Sequence, residues 1–246
     1  DYSMKLPMQI VLRQKKRCPA NRQGGSNVGA AAGPGHSGEG RAILRGAAAV
    51  GAALTASRII QVRGVIIVRT RSATRLYIHV PFCRAKCAYC AFYSEVAPPP
   101  AQVSAYLEAL ERELSAQSVL ATDLESVFVG GGTPSMLGPS GLARLMGAVH
   151  ASFRIKADAE VTVEANPDRV DAALAEALAA AGVNRVSLGL QSFQPELLRT
   201  LGRCVDAGAA ASAASALRAV GIARLSADLI FQIPGQSLSA WVADLR

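Results

Sequence analysis

The chain has 246 residues, of which half are hydrophobic and 18% are charged. This composition excludes wholesale disorder and allows one or two domains. No run of 18 apolar residues occurs, so we predict no integral membrane segment. The five cysteines are too few for a secreted disulfide scaffold of this length, and we expect a cytoplasmic protein of the α/β type.

The net charge of +8 is unevenly distributed along the chain. Residues 1–75 carry a net charge of +11, whereas residues 76–246 carry −3. A nucleic-acid-binding surface would therefore depend on the first third alone. That segment lacks the interleaved aromatic residues that such surfaces use, and we expect no nucleic-acid partner.

Residues 1–73 are predicted to form a basic, low-complexity extension outside the fold. Residues 19–41 are rich in Gly, Ala, Pro and Asn without periodicity, so we expect disorder there, followed by a helix over 42–57 and a short strand over 65–68. The extension is rich in arginine and poor in acids, so a mitochondrial or plastid transit peptide is the alternative to a cytoplasmic location. The start at Asp1 favours a fragment or an over-long translation instead.

From residue 74 onward the hydrophobic periodicity alternates between strands and helices. The predicted strands are Leu76–Val80, Val127–Val129, Glu160–Glu164, Arg185–Leu190 and Ala223–Phe231. The predicted helices are Gln102–Leu120, Pro139–Ala151, Asp168–Ala181, Pro195–Leu201, Ala207–Val220 and Ser237–Arg246. About five βα units imply a parallel sheet, either of the open Rossmann type or of a partial (β/α) barrel.

The positions of the polar and glycine residues favour the TIM-like partial barrel. Glycines follow the second strand, Glu164 ends the third, Gln191 follows the fourth, and Asp228 lies in the fifth. Functional residues of a barrel gather at the carboxyl ends of successive strands. The glycine fingerprint of a Rossmann fold is missing after the first strand.

Three cysteines form the sharpest motif of the sequence. Cys83, Cys87 and Cys90 make a C-x3-C-x2-C pattern in the loop after the first strand, whereas Cys18 and Cys204 are remote. Soft thiolate ligands favour an iron–sulfur cluster or zinc. Zinc requires a fourth ligand, for which only His79 is nearby, and free buried thiols are a further alternative. On a four-iron cluster, three cysteines would leave one iron open.

Six ordered motifs carry a family resemblance over residues 74–246. The chain resembles the radical S-adenosylmethionine (SAM) enzymes, and more narrowly the branch that contains coproporphyrinogen III dehydrogenases and HemW-type heme chaperones. Together these motifs are highly specific, whereas each alone would be a weak match. The motifs are YIHVPFCRAKCAYC from Tyr77, VGGGTPS from Val129, VEANP from Val163, GVNRVSLGLQSF from Gly182, LGR from Leu201, and DLI with PGQ from Asp228.

The resemblance implies a [4Fe–4S] cluster on Cys83, Cys87 and Cys90, with SAM bound to the open iron and cleaved after one-electron reduction. It also implies that the other motif residues contact the cofactor. Gly131, Gly132 and Thr133 would let the backbone approach the methionine moiety, and Glu164 would accept from a ribose hydroxyl or the amino group, unless it caps a helix. Tyr77 and Tyr89 flank the cluster loop and would line the cofactor pocket, with core packing as the alternative for Tyr77. The last implied contacts match those to a second SAM molecule and are Gln191, Arg203 and Asp228.

Departures from the pattern bear on the branch. Phe92 stands where the oxidases carry a further cysteine, which favours a HemW-type protein. Ala91, Val205 and Gln232 replace the usual acidic residue, histidine and glycine, and the sequence stops after the fifth unit. The leading hypothesis is an iron–sulfur, SAM-binding factor in heme trafficking, with heme or porphyrin, an electron donor and a heme-accepting apo-protein as partners. The alternatives are an oxygen-independent coproporphyrinogen III oxidase and an inactive fragment that keeps the fold.

Overall fold

The computed structural model describes residues 10–13, 58–62, 65–69, 73–203 and 208–246. Its strands are β1 (Ile10–Arg13), β2 (Arg58–Val62), β3 (Val65–Arg69), β4 (Ala73–Val80), β5 (Phe82–Cys83), β6 (Glu95–Val96), β7 (Ala121–Gly131), β8 (Ile155–Ala165), β9 (Arg185–Gln191) and β10 (Arg224–Leu229). Its helices are α1 (Pro100–Gln117), α2 (Gly138–Ser152), α3 (Ala172–Ala180), α4 (Pro195–Thr200), α5 (Ala209–Ala219) and α6 (Leu238–Asp244). None of the helices in this described part combines the length and apolar character that a membrane span requires.

The main sheet has six strands in the order β1-β4-β7-β8-β9-β10. Strands β4, β7, β8, β9 and β10 are parallel, and each pairs with the next parallel strand along the chain. A doubly wound sheet reverses its strand order at a switch point, and this sheet does not. The sequential order therefore confirms the predicted α/β fold of the partial-barrel type.

The N-terminal third contributes three described strands. β1 pairs antiparallel with β4, which the sequence does not predict. β2 and β3 pair with each other in a separate compact unit that spans residues 16–71, and β3 confirms the strand expected over residues 65–68. The predicted disorder of residues 19–41 and the predicted helix over 42–57 lie outside the described residues.

The two faces of the parallel sheet differ in polarity. One face is apolar, with Ile78, Val129, Val163 and Val186 fully buried against the helices. Successive side chains of a strand point to opposite faces, so the alternate residues form the second face. Tyr77, Phe128, Thr162 and Arg185 lie side by side on that face, on four neighbouring strands. The helices cover the first face and leave the polar face to line the barrel interior.

The helices present the leucine stripes that their periodicity predicts. Leu107, Leu110 and Leu114 of α1 are buried, as is the predicted stripe of α2. α3 begins at Ala172 rather than at the predicted Asp168, because Pro167–Arg169 form a separate 3-10 turn. Asp171 caps α3 instead, and its side chain accepts a hydrogen bond of 2.8 Å from the Leu174 N–H.

The first prediction concerns the packed face. Leu114→Ala removes a fully buried side chain, so we expect the free energy of unfolding to fall by about 2–5 kcal/mol. Val119→Ala is the matched control, because Val119 is 84% exposed in the 3-10 turn that follows α1, and it should change the free energy of unfolding by less than about 0.5 kcal/mol. Urea unfolding measures both, and equal losses would contradict the assigned core.

Candidate functional site

A pocket of about 380 Å³ lies at the carboxyl ends of the parallel strands. It brings together residues that are up to 145 positions apart in the sequence. All but one of the predicted site residues line it: Cys83, Cys87, Tyr89, Cys90, Gly131, Gly132, Thr133, Glu164, Gln191, Arg203 and Asp228. Tyr77 is the exception.

The cysteine loop is closed by a short parallel ribbon that the sequence does not predict. β5 pairs with β6, so that Cys83 lies opposite Val96. The Ala97 N–H donates to the Cys83 carbonyl at 2.9 Å, and the Cys90 N–H donates to the Cys87 carbonyl at 3.2 Å. The Lys86 ammonium reaches across the loop to the Phe92 carbonyl at 2.5 Å. These bonds hold the three cysteines on one compact loop.

The three thiols are soft ligands of the kind that an iron–sulfur cluster takes. Cys83, Cys87 and Cys90 are free and partly exposed around the pocket. Within the described residues, no three Cys, His, Asp or Glu side chains converge closely enough to hold one ion. A cluster takes each cysteine on a different iron, so its ligands need not converge on a point.

His79 is not available as the fourth ligand that a zinc site would need. It is buried, and its Nε2 lies 3.0 Å from the Tyr93 carbonyl oxygen, which only accepts hydrogen bonds, so Nε2 carries a proton. Its Nδ1 lies 3.2 Å from the Tyr77 hydroxyl. Both ring nitrogens are therefore engaged in holding the end of the cysteine loop against β4, and the zinc alternative loses its candidate ligand.

The glycines at the end of β7 have a packing reason in addition to the expected approach of a ligand. A Cβ at Gly130 would lie 2.7 Å from the Glu164 Oε2, and one at Gly132 would lie 2.7 Å from the Phe82 carbonyl oxygen. A Cβ at Gly131 would overlap the His79 ring, and its φ of 113° is unfavourable for other residues. The Thr133 N–H then donates to the Phe82 carbonyl at 2.7 Å, which joins this turn to the cysteine loop.

Glu164 ends β8 with its side chain turned toward the glycine turn. Its Oε2 accepts a hydrogen bond of 3.0 Å from the Gly131 N–H. Burial raises the pKa of Glu164, the Gly131 hydrogen bond opposes this, and the charge of Asp228 raises it further. Asp168, rather than Glu164, lies in the following turn, so the structure places Glu164 in the pocket and not at a helix cap.

Arg203 is buried and crosslinks three parts of the site. Its Nη2 donates at 2.9 Å to both the Asn166 side-chain oxygen and the Gly189 carbonyl. Its Nη1 lies 3.4 Å from the Tyr89 hydroxyl, and the Ala88 N–H donates to the Leu201 carbonyl at 3.1 Å. The turn that carries Arg203 thus packs against the cysteine loop. Desolvation raises the pKa of Tyr89, and the Arg203 charge opposes the rise.

Tyr77 does not line the pocket but packs against residues next to it. Its ring stacks on Phe128 with a centroid separation of 6.0 Å, and its hydroxyl contacts His79. Burial raises the pKa of Tyr77, and the charge of Glu164 adds to the rise. Tyr77 thus makes the packing contacts of the alternative reading, and its contact with a cofactor stays a prediction.

Gln191 and Asp228 complete the pocket from the last two strands. Gln191 has a φ of 70°, and its carbonyl accepts a hydrogen bond of 2.9 Å from the Ile230 N–H. Asp228 accepts from the Ser187 hydroxyl. Ser187 and Asn166 are contacts that the sequence motifs did not single out. The signal was present for Ser187, a polar residue between the apolar Val186 and Leu188.

Comparison with known proteins gives one consistent set of relatives. The family profile of the Radical SAM superfamily matches residues 77–246. The heme chaperone HemW of Mycobacterium tuberculosis strain H37Rv is 43% identical over 169 residues, which are 66% of this chain and 43% of that protein. The oxygen-independent coproporphyrinogen III oxidase of Bradyrhizobium diazoefficiens is 34% identical over 178 residues, which are 71% of this chain and 40% of that protein.

A solved structure shares the fold. The coproporphyrinogen III oxidase HemN of Escherichia coli, described as a radical SAM enzyme, is 30% identical with a TM-score of 0.65. The match covers 69% of this chain and 39% of that one. This chain spans less than half the length of the relatives that it matches.

The glycine turn generates the second prediction. Gly131→Ala places a methyl group into the His79 ring at an unfavourable φ, so we expect a loss of about 2–4 kcal/mol in the free energy of unfolding. Gly147→Ala is the matched control, because that glycine lies within α2 with open space around it and alanine favours helices by about 1 kcal/mol. Urea unfolding should therefore show a lower free energy of unfolding for Gly131→Ala and a higher one for Gly147→Ala. An unchanged free energy of unfolding for Gly131→Ala would contradict the packing.

The third prediction uses the buried carboxylate. Because burial raises the pKa of Glu164 in the folded chain, the folded state binds more protons than the unfolded state between the ordinary and the raised value. The contribution of Glu164 to the free energy of unfolding therefore falls as the pH rises through that window. Glu164→Gln has no such titration, so its stability relative to the unmodified chain should improve from about pH 4 to about pH 7. A difference that is constant with pH would contradict the assignment.

Proposed function

Because the chain belongs to the Radical SAM superfamily, we propose that its cysteine loop holds a [4Fe–4S] cluster and that the adjoining pocket binds SAM. The observation that carries the proposal is the single pocket that joins the three thiols to the glycine turn and to the polar ends of β8, β9 and β10. Thiols alone would suit several metals, but here they share a cavity with groups that suit a charged, hydroxyl-bearing ligand.

Each part of the pocket has a distinct proposed role. Cys83, Cys87 and Cys90 are the metal ligands, and three cysteines leave one iron for the amino and carboxylate groups of SAM. The backbone at Gly131 and Gly132 approaches this ligand without side chains in the way. When bound, the cluster and SAM together supply radical chemistry that begins with one-electron cleavage of the sulfonium.

The acidic and basic side chains would orient the same ligand. Glu164 and Asp228 offer carboxylate oxygens, which accept from ribose hydroxyls or from an ammonium group. Gln191 can both donate and accept. Arg203 already has three acceptors inside the protein, so its main proposed role is to hold Asn166 and Tyr89 around the ligand.

At the level of the whole protein we propose a role in heme trafficking, in which the protein binds heme and transfers it to an apo-protein. One observation supports the HemW branch over the oxidases. Phe92 lines the pocket where the resemblance places an oxidase cysteine, and its side chain is 62% exposed, as an aromatic contact for a flat macrocycle would be.

The second candidate is the oxidative decarboxylation of coproporphyrinogen III. The fold of the E. coli HemN favours it, since that protein has a TM-score of 0.65 to this chain. Both candidates use a porphyrin, an electron donor and the same cluster. The proposed location is the cytoplasm; one relative, from Bos taurus, is named as mitochondrial, so an organelle is the alternative.

The fourth prediction tests the cluster. After anaerobic reconstitution with iron and sulfide, the chain should hold about four irons, and Cys83→Ser, Cys87→Ser and Cys90→Ser should each lose most of them. Cys18→Ser, at a cysteine for which we assign no role, is the matched control and should keep the iron of the unmodified chain. Binding of about one zinc in place of iron, or iron that persists in the triple variant, would contradict the proposal.

The fifth prediction separates the two functions. The reconstituted chain should bind heme, measured by the change in the Soret absorbance, without turning over coproporphyrinogen III under reducing conditions with SAM. Stoichiometric formation of protoporphyrinogen IX would overturn the chaperone assignment in favour of the oxidase. If a chain that holds its cluster shows neither heme binding nor turnover of coproporphyrinogen III, both proposed functions fail.

A further inference from the structure

A continuous file of hydrogen bonds runs along the polar face of the sheet to the carboxylate of Asp228. The Arg185 Nη2 donates to the Ser226 hydroxyl at 3.1 Å, and Ser226 donates to the Ser187 hydroxyl at 2.9 Å. Ser187 then contacts both carboxylate oxygens of Asp228, at 3.1 and 3.0 Å. The file spans two neighbouring strands, because Ser226 lies directly opposite Ser187 in the pairing of β9 and β10.

The direction of the file is set by the chemistry of its two ends. An arginine guanidinium only donates hydrogen bonds, and an ionised carboxylate only accepts them. Ser226 must therefore accept from Arg185 and pass its own proton toward Ser187, and Ser187 must point its proton at Asp228. Each hydroxyl has one proton, so no other arrangement satisfies all three contacts.

The arginine end of the file is itself held in place. The Arg185 Nη1 donates to the Glu160 Oε1 at 3.1 Å, and the other Glu160 oxygen accepts from Arg224 at 2.7 Å. Thr162 donates to Glu160 as well, at 3.0 Å. Ser187 is buried, with Glu164 opposite it on β8, so the file connects the pocket to the ion pairs of Glu160.

We propose that Ser187 and Ser226 are positioning residues that orient the carboxylate of Asp228 as a fixed acceptor in the pocket. Asp228 lies on an exposed part of β10, where a free carboxylate would rotate between several orientations. Both of its oxygens engage Ser187, so its remaining lone pairs are presented in a defined direction. The group that it receives is a hydroxyl or an ammonium donor. This inference rests on the proposed function for the identity of the ligand, SAM, and not for the geometry of the file.

The test is a double-mutant cycle on SAM binding, measured by equilibrium dialysis with the reconstituted chain. Ser187→Ala should weaken SAM binding about tenfold and Ser226→Ala about threefold, since hydrogen bonds to charged groups are the stronger ones. In an Asp228→Ala background, Ser187→Ala should cause little further weakening, because the acceptor that Ser187 orients is already absent. A purely structural role of Ser187 would instead weaken binding equally in both backgrounds and would overturn the proposal.

A control and a second readout keep the outcomes distinct. Ser126→Ala, at a serine of β7 outside this file, should bind SAM as the unmodified chain does. If Ser187→Ala does not fold, the half-buried Ser226 carries the same cycle. In the chain without iron, Ser187→Ala should lower the urea midpoint, and it should do so less in the Asp228→Ala background. If the unmodified chain does not bind SAM, the proposed function fails, and the urea cycle alone decides for or against the file.

Discussion

The absence of side chains at Gly130, Gly131 and Gly132 is the constraint on which the whole site depends. Each of these glycines faces a different partner, and each partner belongs to a different part of the pocket: Glu164 on β8, His79 on β4, and the backbone of Phe82 at the start of the cysteine loop. Any larger residue would separate β7 from one of them. The close approach lets the Gly131 N–H reach Glu164 and the Thr133 N–H reach Phe82, and it thereby joins the acidic and the cysteine halves of the pocket.

The second determinant is the division of the sheet into an apolar and a polar face. The helices cover the valines and leucines of the first face, which supplies the stability of the fold. The opposite face carries aromatic, acidic, hydroxyl and guanidinium groups that bond to one another along and across the strands. Polar groups inside a barrel are costly unless they are paired, and the contacts from Glu160 through Ser187 to Asp228 satisfy them. The same contacts leave acceptors at the end of the sheet where the cysteines lie.

Most of the fold and most of the pocket could be predicted from the sequence. The leucine stripes of α1 and α2 follow from local periodicity, and the likeness to HemN confirms the predicted fold of the radical SAM type. The six motifs identified eleven residues that the structure brings into one pocket. Short motifs succeed here because most of them lie at the carboxyl ends of parallel strands, and these ends meet at one edge.

The features that the sequence did not predict depend on contacts between distant residues. The β5–β6 ribbon pairs two-residue strands across the cysteine loop, and β1 pairs with β4 from more than sixty positions away. Tyr77 looks like a pocket residue beside the cysteines, yet its neighbour on the next strand is Phe128, which it stacks against. Asp168 is the first residue of a predicted helix, but a 3-10 turn intervenes and Asp171 caps the helix.

We propose that an open iron of a cysteine-bound cluster receives SAM in this pocket. Electron paramagnetic resonance of the reduced, reconstituted chain, recorded with and without SAM, tests this binding. We expect a [4Fe–4S] signal whose shape and g-values change when SAM is added, because the ligand binds to the cluster itself. A signal that is identical with and without SAM, at full iron content, would contradict it.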